Sequence, residues 1–183
     1  LQQPYPPLWY PTHNPESIEY AARNGYHFVG LGPAGLIRQQ IDRYRQTWEA
    51  HRHESGRLNG HVAQPKLGAL RQVFVADTDE EALAVARSAH KDWYRSITKL
   101  WHDHNDHNVD RLFAWEGAVE HETVIFGSPA RVREQVARLV EGSGCNYMIS
   151  AFAWGTLTHE QSLRSLRLFA QEVMPAFSST PSR

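Results

Sequence analysis

PLWYPTHNPESIEYAARNGYHFVGLG, residues 7–32, reads as strand, short polar loop, helix and strand in quick succession. Leu8 to Pro11 is aromatic and bounded by prolines, which suits a short buried strand. From Pro15 the spacing turns helical, with Ile18, Ala21 and Ala22 on one side. Asn14 is placed to cap that helix, and Pro15 to fill its first position, where no backbone N–H is needed. Asn24-Gly25 supplies a left-handed stop, and His27 to Leu31 forms a second strand closed by Gly32-Pro33. The result is one parallel βαβ unit. The loop at its first strand's carboxyl end offers backbone N–H groups and the positive end of a helix dipole, a combination that suits a phosphate. A phosphate-bearing cofactor is therefore the first expectation.

The alternation continues outward. A helix is predicted from about Ala34 to about His53, with Ile37, Ile41, Tyr44 and Trp48 recurring on one face. Leu67 to Ala76 is a third strand, apolar enough to be covered on both faces. Thr78 caps the next helix, whose Asp79, Glu80 and Glu81 sit where the macrodipole is positive. That helix turns Ala82, Val85, Ala86, Ala89, Trp93 and Ile97 inward, and the rhythm breaks from Trp101 to Asp110. Thr123 to Phe126 is a brief strand, after which Ser128-Pro129 opens a helix with a capping hydroxyl and an apolar face of Val132, Val136, Leu139 and Val140. Gly142 to Gly144 ends it. Asn146 to Ala153 is a last strand and His159 to Val173 a last helix, terminated by Pro175. Strands alternating with such helices mean parallel βαβ architecture, in about four βα units. Residues 1–177 are expected to form a single α/β domain with a less regular insertion near 101–122, and 178–183 a flexible tail.

Composition bounds the function. With 183 residues, 41% hydrophobic and 21% charged, the chain suits one sizeable core. A net charge of -1, from 19 Lys+Arg against 20 Asp+Glu, gives no bulk electrostatic ground for binding nucleic acid or an anionic membrane. No apolar run approaches the ~20 residues needed to span a bilayer, and the amino end lacks the order of a signal peptide. A cytoplasmic protein is expected. Cys145, the single cysteine, forms no internal disulfide, and its apolar neighbours predict a buried, inert thiol. The chain opens on Leu1, in LQQPYPPLWY, as a piece of something longer would.

Two segments concentrate polar chemistry. Thr12-His13-Asn14-Pro15-Glu16-Ser17 gathers hydroxyl, imidazole and amide donors at a helix start; the competing reading is an Asn14 cap on an ordinary helix. Trp101-His102-Asp103-His104-Asn105-Asp106-His107 holds enough ligand chemistry for zinc, but its spacing matches no zinc motif. On a continuous helix Asp103 and His107 would share a face while His102 and His104 diverge, so a solvated connecting loop and no metal are expected. His51, His53 and His61 read as surface residues. Walker, GxGxxG and GxSxG signatures are missing from the sequence.

PLWYPTHNPESIEYAARNGYHFVGLG, VFVADTDEEALAVAR and GSPARVREQVARLVEGSGCNYMISAFAWGTLTHEQSLRSLRLFAQEVMPAF together resemble the carboxyl-terminal half of bacterial-luciferase-like flavin-dependent monooxygenases. The resemblance covers nearly the whole chain and is weakest from Asp92 to His121. It implies an α/β fold, the parallel (β/α) half-barrel that is the second half of an eight-stranded TIM-type barrel, binding FMN or a deazaflavin coenzyme at the strands' carboxyl ends. It places the flavin phosphate on the loop after the barrel's fifth strand, here at His13, Asn14 and Ser17. His13 stands where some relatives have a carboxylate and Asn14 where they have a hydroxyl; both side chains can donate to phosphate. Gly30 and Leu31, and Phe152 to Gly155, would lie on the same rim, with Phe152 and Trp154 toward a small organic substrate; Trp154 reads equally well as core.

In this family the flavin carries the chemistry while the protein binds, orients and excludes water. The polar residues that shield the reacting ring belong to the family's other half, so the resemblance names no catalytic residue here. Four parallel strands cannot close a cylinder, and the open edges invite pairing. The chain is therefore expected to be part of a longer enzyme, or to associate with a missing amino-terminal half or a second copy as a homo-oligomer. The leading expectation is a flavin-dependent oxidoreductase whose isolated chain is inactive; the alternative is a non-catalytic half-barrel that serves assembly or regulation.

Overall fold

The computed structural model describes residues 2–178. In chain order the elements are β1 (Trp9–Pro11), α1 (Pro15–Asn24), β2 (His27–Gly30), α2 (Ala34–His51), β3 (Leu67–Val75), α3 (Asp79–Asp103), α4 (Asp110–Phe113), α5 (Trp115–Glu120), β4 (Val124–Gly127), α6 (Pro129–Ser143), β5 (Tyr147–Ala151) and α7 (His159–Leu168). A π-helical turn, Phe169–Val173, and a 3-10 turn, Met174–Phe177, follow α7. β1 pairs with β2, β2 with β3 and β3 with β4, all in parallel, and β5 also pairs with β3. The chain forms two compact units, one from residues up to Leu70 with Leu139–Ile149, the other from Arg71–Arg138 with the residues from Ser150.

The first unit contains the βαβ element read from residues 7–32. Trp9 registers with His27 and Pro11 with Val29. α1 starts on Asn14 and stops at Gly25, whose φ of 74° is a left-handed value that glycine adopts without strain. Phe28 and Val29 are buried together with Ile18, Ala21 and Ala22 of α1 and Ile37, Ile41 and Tyr44 of α2. Burial pushes the Tyr44 phenol's pKa up, and its hydroxyl donates to the Tyr26 carbonyl. Arg38 and Arg45 of α2 donate to carbonyls at the carboxyl end of α6: Arg38 Nε to Gly142 at 3.2 Å and Arg45 Nη2 to Gly144 at 2.8 Å. Cations there meet the negative pole of the helix and satisfy carbonyls that have no partner within it. Cys145 is buried and unpaired, as its neighbours predict.

The second unit packs around Phe74, Ala76, Ala82, Ala86, Ala89, Ala118, Val124, Phe126 and Trp154. Thr78 caps α3 by accepting from the Glu81 N–H at 3.1 Å. Asp79 accepts from the Ser128 N–H at 2.7 Å, so the start of α6 is anchored to the first turn of α3. Gly155 is obligatory: its φ is 57°, and an added Cβ would lie 1.9 Å from the Ala89 carbonyl oxygen.

Several expectations change, among them the strand count, which is five rather than four, and the burial of β1, which leaves Trp9 exposed. α3 does not break at Trp101 but runs to Asp103, held in its last turns by the Lys99–Asp103 ion pair and closed by Asn105 at a φ of 54°. Beyond it, residues 101–122 include the two short helices α4 and α5 rather than a loop alone. Ile97 is not turned inward but is 39% exposed. Pro175 does not end a continuous last helix; α7 gives way at Phe169 to the π-turn, and Pro175 sits inside the 3-10 turn. Of the expected tail, Ser178 follows that turn and 179–183 lie outside the described residues.

Candidate functional site

The loop between β1 and α1 is built by its own side chains. The Thr12 N–H donates to the Val29 carbonyl at 3.3 Å, and Thr12 Oγ1 accepts from the Asn14 N–H at 3.2 Å. Asn14 Oδ1 accepts from the Glu16 N–H at 2.9 Å and the Ser17 N–H at 3.3 Å. The Ile18 N–H bonds the Asn14 carbonyl, and Pro15 has none to give. The first-turn N–H groups that spacing offers to an anion are thus held by the cap. What stays uncommitted among the described residues is the His13 ring, the Ser17 hydroxyl and the Asn14 amide nitrogen, beside the positive end of a ten-residue helix. His13 and Asn14 are exposed and Ser17 half-buried. This donor set fits a phosphate; Glu16, in the same turn, is the one carboxylate beside it.

Gly30 and Leu31 follow at the carboxyl end of β2. Gly30 is buried, and a Cβ there would meet Gln40 Oε1 at 2.8 Å and Ile37 Cγ2 at 3.0 Å, so its missing side chain lets α2 approach the strand. Leu31 is 39% exposed just past the strand. In the second unit Phe152 stacks edge-on with Phe169 at 5.2 Å between centroids. Trp154 is 6% exposed within the core, and its Nε1 donates to the Val73 carbonyl at 3.3 Å.

The histidine-rich segment is organised differently from its spacing. His102 in the last turn of α3, His107 in the following connection and Asp110 at the start of α4 converge, whereas Asp103 turns away to Lys99. His102 Nε2 lies 2.7 Å from Asp110 Oδ1 and His107 Nδ1 lies 3.2 Å from Asp110 Oδ2. The Tyr94 hydroxyl donates to Asp110 Oδ1 at 2.7 Å. That hydroxyl first, and the His102 ring second, hold the Asp110 carboxyl down to about 2. Burial, helped by the same carboxylate, pushes the Tyr94 phenol up to about 12. The cluster was hidden because convergence depends on the left-handed Asn105, a C-terminal stop that the residue type itself signals. His53 and His61 are exposed, and half-buried His51 pairs with Glu54 at 2.6 Å.

A parallel α/β sheet flanked by helices, with its polar loop after a strand's carboxyl end, defines a partial (β/α) barrel. The chain belongs to the luciferase-like monooxygenase family, whose model matches residues 1–146. It is 26% identical over 190 residues to the oxygenase component of the flavin-dependent trigonelline monooxygenase of Acinetobacter baylyi, covering 98% of this chain and 51% of that protein. Among solved structures it is similar to the monooxygenase RslO1 of Streptomyces bottropensis, with a TM-score of 0.76, 21% identity and coverage of 97% of this chain and 50% of that one. The oxygenating constituent of 3,6-diketocamphane monooxygenase of Pseudomonas putida, in complex with FMN, gives a TM-score of 0.68 at 19% identity, with 94% and 48% covered. These structures speak to the fold. The chain spans about half the length of the curated relatives it matches. No helix among the described residues is long and apolar enough to cross a membrane.

Proposed function

We propose that this chain supplies the flavin-phosphate side of a luciferase-like flavin-dependent monooxygenase, with FMN or a deazaflavin coenzyme held at His13, Asn14 and Ser17. The observation that carries the reading is the set of uncommitted donors at the amino end of α1, in a chain of this family. Ser17 Oγ and the His13 ring would donate to the phosphate, and Asn14 would donate from its amide nitrogen while its oxygen keeps the cap. Gly30 and Leu31 are proposed to continue the cofactor wall of the first unit. Phe152 is proposed for a substrate wall on the ground of its place after β5, whereas Trp154 belongs to the core of the second unit. When bound, the flavin supplies the redox chemistry with oxygen; the chain's residues bind and orient it. The activity itself is proposed for a complete barrel, formed with an amino-terminal half or a second copy.

One observation favours the alternative of a non-catalytic half-barrel: Asn14 already satisfies the first-turn N–H groups, as in an ordinary cap. Fluorescence titration with FMN and with riboflavin separates the two readings. FMN is expected to bind more tightly than riboflavin, and Ser17→Ala or His13→Ala to reduce that advantage by about tenfold for each charge-assisted hydrogen bond lost. Equal affinity for the two flavins, or no binding of either, overturns the proposal.

A further inference from the structure

We propose that His102, His107 and Asp110 form a binding site for a transition-metal dication of the zinc class, which staples the last turn of α3 to the start of α4. One ligand atom from each residue lies within 4.8 Å of the others. Tetrahedral zinc bonds of ~2.0–2.2 Å separate ligand atoms by about 3.3 Å, and the two contacts to Asp110, at 2.7 and 3.2 Å, lie close to that spacing. The imidazoles are stacked, with ring centroids 4.6 Å apart and planes 28° from parallel, so that both present a nitrogen to the same carboxylate. Two imidazole nitrogens and one carboxylate oxygen suit zinc and its neighbours over the all-oxygen sets of calcium or magnesium.

The surroundings fit a ligand set. Tyr94 donates to Asp110 Oδ1 from two turns back on α3, an outer contact that orients a ligating carboxylate. The Tyr94 and His102 rings meet edge-on, 5.9 Å between centroids, which fixes the plane of the first ligand. The His107 side chain is 59% exposed and gives the ion a way in. Three protein ligands leave a fourth position for water. Of the two grounds for expecting no metal, a spacing that matches no zinc motif and a continuous helical face, the left-handed Asn105 removes the second.

The test is titration of the chelator-treated full chain with zinc, using cobalt as a spectroscopic probe. One equivalent is expected to bind at micromolar metal, cobalt to show the strong visible absorption of a four-coordinate site, and the melting temperature to rise with zinc. His107→Ala, at an exposed position, and Asp110→Asn should each abolish stoichiometric binding while circular dichroism reports an intact fold. Tyr94→Phe should weaken zinc binding by about tenfold or more, and His53→Ala should leave it unchanged. Failure to bind one equivalent, or binding by His107→Ala equal to that of the parent chain, overturns the proposal.

Discussion

Asn14 concentrates two demands in one side chain. Its oxygen holds the Glu16 and Ser17 N–H groups of α1, which leaves only its nitrogen for a ligand. Asn14→Ala is accordingly expected to destabilise the protein by about 1 kcal/mol, whereas Ser17→Ala should stay within about 0.5 kcal/mol. Urea unfolding of both variants checks this, and equal stabilities would show that the cap contributes nothing. The cap itself is legible in the order Asn14-Pro15-Glu16-Ser17, because capping is a matter of residues two and three apart. That the cap consumes the N–H groups a phosphate would use is not legible, since it depends on the rotamer the asparagine adopts.

At the scale of the element, α3 shows how a well-marked start accompanies an obscure end. Thr78 and the acidic first turn announce the amino end; the other end depends on the Lys99–Asp103 pair and on Asn105, which no change of hydrophobic period marks. The same helix buries His90 between Trp93 and Trp115, 5.2 and 5.3 Å away between ring centroids. Burial lowers the pKa of this imidazole below its ordinary 6.5, against a smaller opposing pull from Glu116. The unfolded chain thus takes up a proton that the folded chain resists, so stability is complete above about pH 6.5 and is lost as pH falls below it. Burial first, then Lys66 and His61, lowers His27 in the same sense. Denaturation midpoints should therefore fall from about pH 7 to about pH 5, and His90→Gln should flatten the slope without erasing it. An unchanged slope in that variant would remove His90 from the account.

For the whole molecule, the strand order decides what the chain needs. β1 ends the order, and among the described residues it pairs only with β2. In the first unit Trp9 and Tyr147 leave more than a third of their surface to solvent, with rings 5.3 Å apart. An unpaired edge carrying exposed aromatics favours association. Sedimentation is expected to show a concentration-dependent oligomer, and Trp9→Lys to shift it toward monomer; a parent chain that stays monomeric at every concentration would contradict this. The sequence by itself determined the alternation of strands and helices, the cap at Asn14, the stop at Gly25 and the family, because each rests on periodicity, on neighbours within one turn or on a contiguous motif. Only the tertiary structure decided that β3 takes β2, β4 and β5 as partners, that Trp154 spends its ring in the core, and that His102 and His107 meet at Asp110. Those outcomes depend on where the chain reverses and which distant surfaces it buries, and local spacing does not encode either.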